Sequence, residues 1–188
     1  MGDRPGKRAS YQDLSALPPH QVGEIIDGVL YAHSRPATRH ARAASVLGGE
    51  LEPSFGRGRG GPGGWVILDE PELHLGSEPD VLVPDLAGWR RTRMPELPDA
   101  AYLTLPPDWV CEVLSDSTRK LDRSKKVPVY ARERVVHVWL VDPAAHTLEI
   151  LRLDGESHRL VGTFADDAPC RAEPFDAIEL DLGALWMR

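Results

Sequence analysis

Trp109-Val-Cys-Glu-Val-Leu-Ser-Asp-Ser-Thr118 is the stretch on which the reading of this chain turns. Its first six residues form a nearly continuous apolar run broken by one carboxylate, Glu112, the pattern of a central strand buried on both faces. Ser115-Asp-Ser-Thr118 then offers side chains that cap a helix, which the composition carries through Lys126 toward Arg134. Val135-Val-His-Val-Trp-Leu-Val141 reads as a second buried strand. Asp142-Pro143 turns it into the alternating Thr147-Leu-Glu-Ile-Leu-Arg-Leu153, and Asp154-Gly155 predicts a further hairpin to His158-Arg-Leu-Val161.

Working upstream, Glu24-Ile-Ile-Asp-Gly-Val-Leu-Tyr31 reads as a hairpin about Asp27-Gly28, preceded by a short helix over Tyr11 to Leu17 that Pro18-Pro19 stops. Ala37 to Leu51 has helical spacing of Ala43, Val46, Leu47 and Leu51 and is expected to end before Pro53. Phe55 to Gly64 is too glycine-rich to hold a regular element. With only two arginines, Arg57 and Arg59, it reads as a flexible connection rather than an RGG-like nucleic-acid arm. Strands are expected at Trp65 to Leu68, Glu72 to Leu75 and, as one segment, Asp80 to Trp89. Arg90 to Pro107 is irregular, and Ile178 to Leu182 reads as a last strand. No internal repeat is visible. The sum is an α/β fold (α+β, mixed sheet) with added hairpins, one domain over residues 11–188 behind a loose tail at residues 1–10.

Composition agrees with that size. The 188 residues are 41% hydrophobic and 27% charged, enough apolar surface for one core. Lysine and arginine number 22 against 29 acids, a net charge of −7 that excludes a uniformly basic nucleic-acid coat and leaves room for a local basic groove. Two cysteines, Cys111 and Cys170, exclude a disulfide framework and a thiolate zinc site, and they fit a reducing cytoplasmic setting. The opening MGDRPGKRAS lacks the apolar stretch of a signal peptide, and nothing approaches the roughly 18 apolar residues of a membrane span.

Common motifs are absent: there is no Walker loop, strand-linked GxGxxG, GxSxG elbow or HExxH, and the seven histidines never fall at tight ligand spacing. What stands out is acid inside apolar strands. Asp85 follows Val81-Leu82-Val83-Pro84 and precedes Leu86-Ala87, while Glu112 lies between Val110-Cys111 and Val113-Leu114. An ionised carboxylate in such a run is costly to bury without a cation. Two converging carboxylates suit a hard divalent ion. Lys126, with Asp122 one helical turn earlier, supplies an ammonium that could orient a water or offset phosphate charge. Each residue also has a structural reading: Asp85 as a turn residue, Glu112 as a solvent-facing or arginine-paired strand residue, and Lys125 and Lys126 as a solvated helix face.

Taken in order, Glu24-Ile-Ile-Asp-Gly28, Arg39-His40, Val83-Pro-Asp-Leu-Ala87, Pro107-Asp-Trp-Val-Cys-Glu-Val-Leu-Ser115, Ser117-Thr118, Asp122, Lys126, Tyr130 and Val138-Trp-Leu-Val-Asp-Pro143 resemble the Uma-two family of restriction endonucleases, within the PD-(D/E)XK nuclease superfamily. The resemblance covers about residues 11 to 182. It implies a restriction-endonuclease-like core with flanking helices, Asp85 and Glu112 as metal-binding acids, Lys126 as the catalytic lysine and Glu24 as an early acidic member of the site. His40, Asp122 and Tyr130 match auxiliary positions. Pro79-Asp80 is a rival Pro-Asp pair, and Asp85 is preferred because Leu86-Ala87-Gly88-Trp89 continues the family's strand. Two departures stand out. Leu114 occupies the superfamily's usual lysine position, which Lys126 fills from the following helix, and Pro128 is expected to interrupt that helix.

The resemblance implies hydrolysis of DNA phosphodiester bonds with Mg²⁺, or Mn²⁺ as a substitute, by a homodimer. The Val113 carbonyl would be an extra oxygen ligand, and amides near Ser117 and Thr118 would hold a phosphate. Arg39, Arg42, Arg57, Arg59, Arg90, Arg91 and Arg93 would supply the basic track. The alternative is a nuclease-fold module with little turnover that binds nucleic acid or a protein. A serine or cysteine hydrolase needs Cys111 or Ser115 beside a histidine, and Cys111 instead alternates inward as a small hydrophobe.

Overall fold

A computed structural model describes residues 8–35 and 37–186. Most of the tail read at residues 1–10 lies outside them. Where the described chain begins, the Ala9 N–H donates to the Gly28 carbonyl at 2.8 Å, and Ser10 and Asp13 form a capping box on α1 (Tyr11–Ser15). The predicted hairpin follows as β1 (Gln21–Ile26) and β2 (Val29–Ser34), with Asp27 and Gly28 both at the positive φ of its turn. Then come α2 (Thr38–Leu51), β3 (Trp65–Asp69), β4 (Leu73–Leu75), β5 (Asp80–Leu82) and β6 (Leu86–Arg90). β7 (Trp109–Val113), α3 (Arg119–Leu121) and α4 (Val127–Arg132) lead to β8 (His137–Asp142), β9 (Thr147–Asp154), β10 (Ser157–Ala165) and α5 (Gly183–Trp186).

Two sheets result. One is four-stranded in the order β2-β1-β5-β4, and the other is six-stranded in the order β10-β9-β8-β7-β6-β3. The latter is mixed, because β7 and β8 run parallel while every other pairing is antiparallel. The parallel pair needs a crossover, and the helical segment from Arg119 to Arg132 supplies it.

Alternation along β7 sorts its side chains between two cores. Trp109, Cys111 and Val113 join α2, Phe55 and Phe175 on one face. Val110 and Leu114 join Tyr130, Trp89 and Leu140 on the other, the side on which Glu112 also falls. In the first core Phe175 packs against Phe55, Trp65, Trp109 and Trp139, with ring centroids 4.6 to 5.5 Å apart.

Four expectations are corrected. The segment from Asp80 to Trp89 is not one strand: β5 belongs to the small sheet and β6 to the large one, and Val83-Pro84-Asp85 carries the chain between them. The long helix does not stop before Pro53. It continues as a π turn over Glu52–Gly56, with Pro53 at the start of that wider turn. Pro128 likewise does not interrupt its helix. A π turn over Asp122–Lys126 precedes α4, the Val127 N–H reaches back to the Asp122 carbonyl, and Pro128 sits in the first turn of α4. Finally, Ile178 to Leu182 makes only an isolated bridge, Cys170 to Leu180, because its buried Leu180 and Leu182 plug the first core instead of pairing with a neighbouring strand.

Candidate active site

The step between the sheets places polar groups where three elements meet. Glu24 projects from β1, Glu112 from β7 and Lys126 from the π turn, and they are 1%, 2% and 3% exposed. The Lys126 ammonium lies 2.7 Å from Glu112 Oε2, 2.9 Å from Glu24 Oε1 and 3.5 Å from the Val83 carbonyl, enough acceptors for its three N–H donors. Asp122 Oδ1 is 3.8 Å away. The Val83 N–H donates to Glu24 Oε1 at 2.8 Å, and the Tyr130 hydroxyl donates to Glu112 Oε1 at 2.5 Å.

Asp85 is held separately. Its Oδ2 accepts the Val113 N–H at 2.6 Å, and its Oδ1 lies 3.2 Å from His40 Nε2. Burial opposes the charge on Lys126, yet Glu112 and Glu24 outweigh it and keep the ammonium's pKa well above its ordinary value. Burial pushes Glu112 well above the ordinary carboxylate range; Lys126 opposes this while Asp122, Asp85 and Glu24 add to it. Burial also raises Asp122 and the Tyr130 phenol, which therefore stays a donor. Burial lowers His40, but Asp85 more than offsets it, so the imidazole is raised.

Asp85, Glu112, Val113, His40, Asp122 and Lys126 thus line one small cavity of about 60 Å³, with Glu24 closing the buried ammonium's shell. It joins two larger clefts through His40: one of about 380 Å³ along α2, and one of about 260 Å³ beside Arg35, Arg39 and Ser115.

Would a divalent ion fit here? The donors are hard oxygens, and four carboxyl groups, those of Glu24, Asp85, Glu112 and Asp122, stand around one ammonium and one imidazole. Among the described residues no three His, Cys, Asp or Glu side chains stand assembled as a cage. Both oxygens of Glu112 are committed to Lys126 and Tyr130, and those of Asp85 to Val113 and His40. The donor types suit a hard cation, which Asp85 and Glu112 would hold only by exchanging a present partner for it.

Other expectations fare differently. The Thr118 N–H is taken by Ser115 Oγ at 3.2 Å, so it is no phosphate donor. The proposed arginines form no single track: Arg90 lies over the Trp65 ring at 4.0 Å, Arg93 pairs with Asp108 at 2.9 Å, and only Arg39 lines a cleft adjoining His40. Cys111 is fully buried, with its thiol pKa pushed well up by burial. Sequence reasoning missed Asp69 and Glu70, which line the larger cleft, and the backbone of Val83, which serves both Glu24 and Lys126. An acid pair closing a strand before Pro71 was the available signal.

A family model described as "Uma2: Putative restriction endonuclease" matches residues 9–183. The crystal structure of "a putative nuclease belonging to DUF820" from Anabaena variabilis ATCC 29413 is similar, with a TM-score of 0.69 and 20% identity, covering 95% of this chain and 97% of that one. At that identity the likeness shows the fold. No curated protein matches.

Proposed function

The chain belongs to the Uma2 family, and on that footing we propose that it is a metal-dependent endonuclease that hydrolyses phosphodiester bonds of DNA. The observation that carries this is the buried Lys126 ammonium, held by Glu112 and Glu24 at 2.7 and 2.9 Å on the wall of a cavity that Asp85 shares. Asp85 and Glu112 would hold a hard divalent cation, Mg²⁺ or Mn²⁺, which when bound polarises a phosphoryl oxygen and lowers the pKa of a bound water.

The remaining work falls to the chain's own groups. The Val113 N–H fixes one oxygen of Asp85, and the Tyr130 hydroxyl fixes one oxygen of Glu112. Lys126, kept charged by two carboxylates, would offset negative charge that develops on the reacting phosphate. Arg35 and Arg39, on the adjoining cleft, supply positive charge for the substrate backbone. The test is nicking of supercoiled plasmid with Mg²⁺ or Mn²⁺ by wild type, Asp85→Ala, Glu112→Ala and Lys126→Met. Equal activity in all four overturns the assignment.

The commitment of both Glu112 oxygens favours a second reading, a module with this fold that binds without turnover. Mn²⁺ titration by calorimetry separates the two: the enzyme gives a binding heat that Asp85→Ala abolishes, and the module gives none.

A further inference from the structure

The larger cleft beside the site differs from the rest of the groove in chemistry. Its volume of about 380 Å³ falls within the roughly 300–1,000 Å³ of small-molecule sites. One wall is the face of α2 that carries Ala44, Gly48 and Gly49, and the facing wall carries Ile67 and Leu86. The space exists because those helix residues are small: a Cβ added at Gly49 would meet nothing within 4 Å.

Asp69 and Glu70 stand on the rim, with no hydrogen bond or ion pair to their side chains among the described residues. The Glu70 N–H donates to the Asp85 carbonyl at 3.1 Å, which ties the rim to the site, at a φ of 44° that is unusual for a non-glycine residue. His40, 7% exposed, lines the same cleft, and its Nδ1 has no hydrogen-bond partner among the described residues. No lysine or arginine lines the cleft. Apolar walls, free acceptors and the absence of lysine and arginine disfavour a phosphate and suit an unstacked base that carries an amino group.

We infer that this cleft takes the nucleobase next to the cleaved phosphodiester, and that it prefers a base with an exocyclic amine, such as cytosine, which Asp69 and Glu70 accept as hydrogen-bond partner. The inference rests on the nuclease reading and narrows it: the nucleotide at the site is unpaired, in a single strand or flipped from a duplex. The backbone then runs toward the cleft of Arg35 and Arg39, on the other side of His40.

Fluorescence anisotropy in EDTA, with labelled decamers of deoxycytidine and of thymidine, tests this on wild type, Gly49→Leu and the double variant Asp69→Asn/Glu70→Gln. Leucine is a better helix former than glycine, so Gly49→Leu should fold as wild type, which circular dichroism checks. Wild type should bind the cytidine decamer about tenfold tighter than the thymidine one, the lower range of base-edge discrimination. Gly49→Leu should lose at least tenfold on the cytidine decamer, and the double variant should lose the preference. Equal binding by wild type and Gly49→Leu, including none by either, overturns the pocket, as does a wild type without preference. A double variant that keeps the preference but loses Mn²⁺ affinity assigns the rim to a cation and also overturns it. The two readings fail separately: plasmid cleavage indifferent to Asp85→Ala removes the hydrolytic one, whereas the decamer result judges the pocket whatever cleavage shows.

Discussion

Replacing Lys126 with methionine removes the one buried ammonium among Glu24, Glu112 and Asp122, none more than 3% exposed, while keeping most of the side chain's volume. At an effective dielectric near 20, each contact at 2.7 and 2.9 Å is a gross attraction of about 6 kcal/mol, much of it offset by the cost of taking the ions out of water. What the substitution exposes is the remainder, carboxylates left buried without their counterion, a situation that typically costs about 3–5 kcal/mol. For a domain of this length that corresponds to a drop in Tm of roughly 6–20 °C, readable by differential scanning calorimetry at pH 7.5.

The sign of the pH dependence is fixed. Without the ammonium, Glu112 and Asp122 keep folded-state pKa values raised by burial and by neighbouring acids, Asp122, Asp85 and Glu24 acting on Glu112, and Glu24 and Asp85 on Asp122. A carboxyl whose folded pKa is raised loses stability as pH climbs past its unfolded value near 4, so the deficit against wild type should be largest at neutral pH and shrink toward pH 4–5. A Lys126→Met protein within 1 kcal/mol of wild type at pH 7.5, or a deficit unchanged between pH 8 and pH 5, would refute the picture of a buried, charge-balanced cluster.

Three further outcomes are expected. Tyr130→Phe removes the donor to Glu112 Oε1 and leaves a buried acceptor short of a partner; urea denaturation should show a loss of about 1–3 kcal/mol, and a change under 0.5 kcal/mol would mean the hydroxyl is dispensable. Gly88→Ala on β6 would place its Cβ 3.1 Å from the Trp109 ring and 3.2 Å from that of Trp65, both buried, so overpacking of about 1–3 kcal/mol should lower Tm, and an unchanged Tm counts against a tight core there. Asp142 has burial working against its charge, but the Arg119 guanidinium and the Ala144 and Ala145 N–H groups prevail and hold its pKa below the ordinary value. That contribution is therefore present above pH 4 and lost as the pH falls through the lowered pKa, so stability measured from pH 5 to pH 2 should fall more steeply for wild type than for Asp142→Asn; parallel curves would contradict it.

Much of the site was legible because charge is rare in apolar runs. Glu112 is the single charged residue between Trp109 and Leu114, and a buried carboxylate requires a partner wherever the chain folds. Lys126 followed from its position one turn after Asp122 and from the family pattern. The exchange of sheets at Val83-Pro84-Asp85 was not legible, since Val81-Leu82 and Leu86-Ala87 are equally apolar and periodicity records burial but not which neighbour does the burying. The π turns escaped for a related reason: proline in a helical pattern reads as a stop, and only tertiary packing shows that a wider turn absorbs it. The left-handed backbone of Glu70 carried no local signal, because sequence preferences assign that conformation to glycine or asparagine. Phe175 lies in an irregular segment, yet it is the hub of four aromatic rings.

The short link from β5 to β6 has an engineering consequence. Val83 bonds the first sheet's Glu24 and the helix's Lys126, and Asp85 bonds the second sheet's β7, so one tripeptide rivets both halves of the candidate site. Opening the polypeptide there, by circular permutation or by splitting it into two complementing fragments, should give assemblies with both sheets intact and no working centre. New termini in the exposed glycine stretch around Gly60 should leave the centre unharmed.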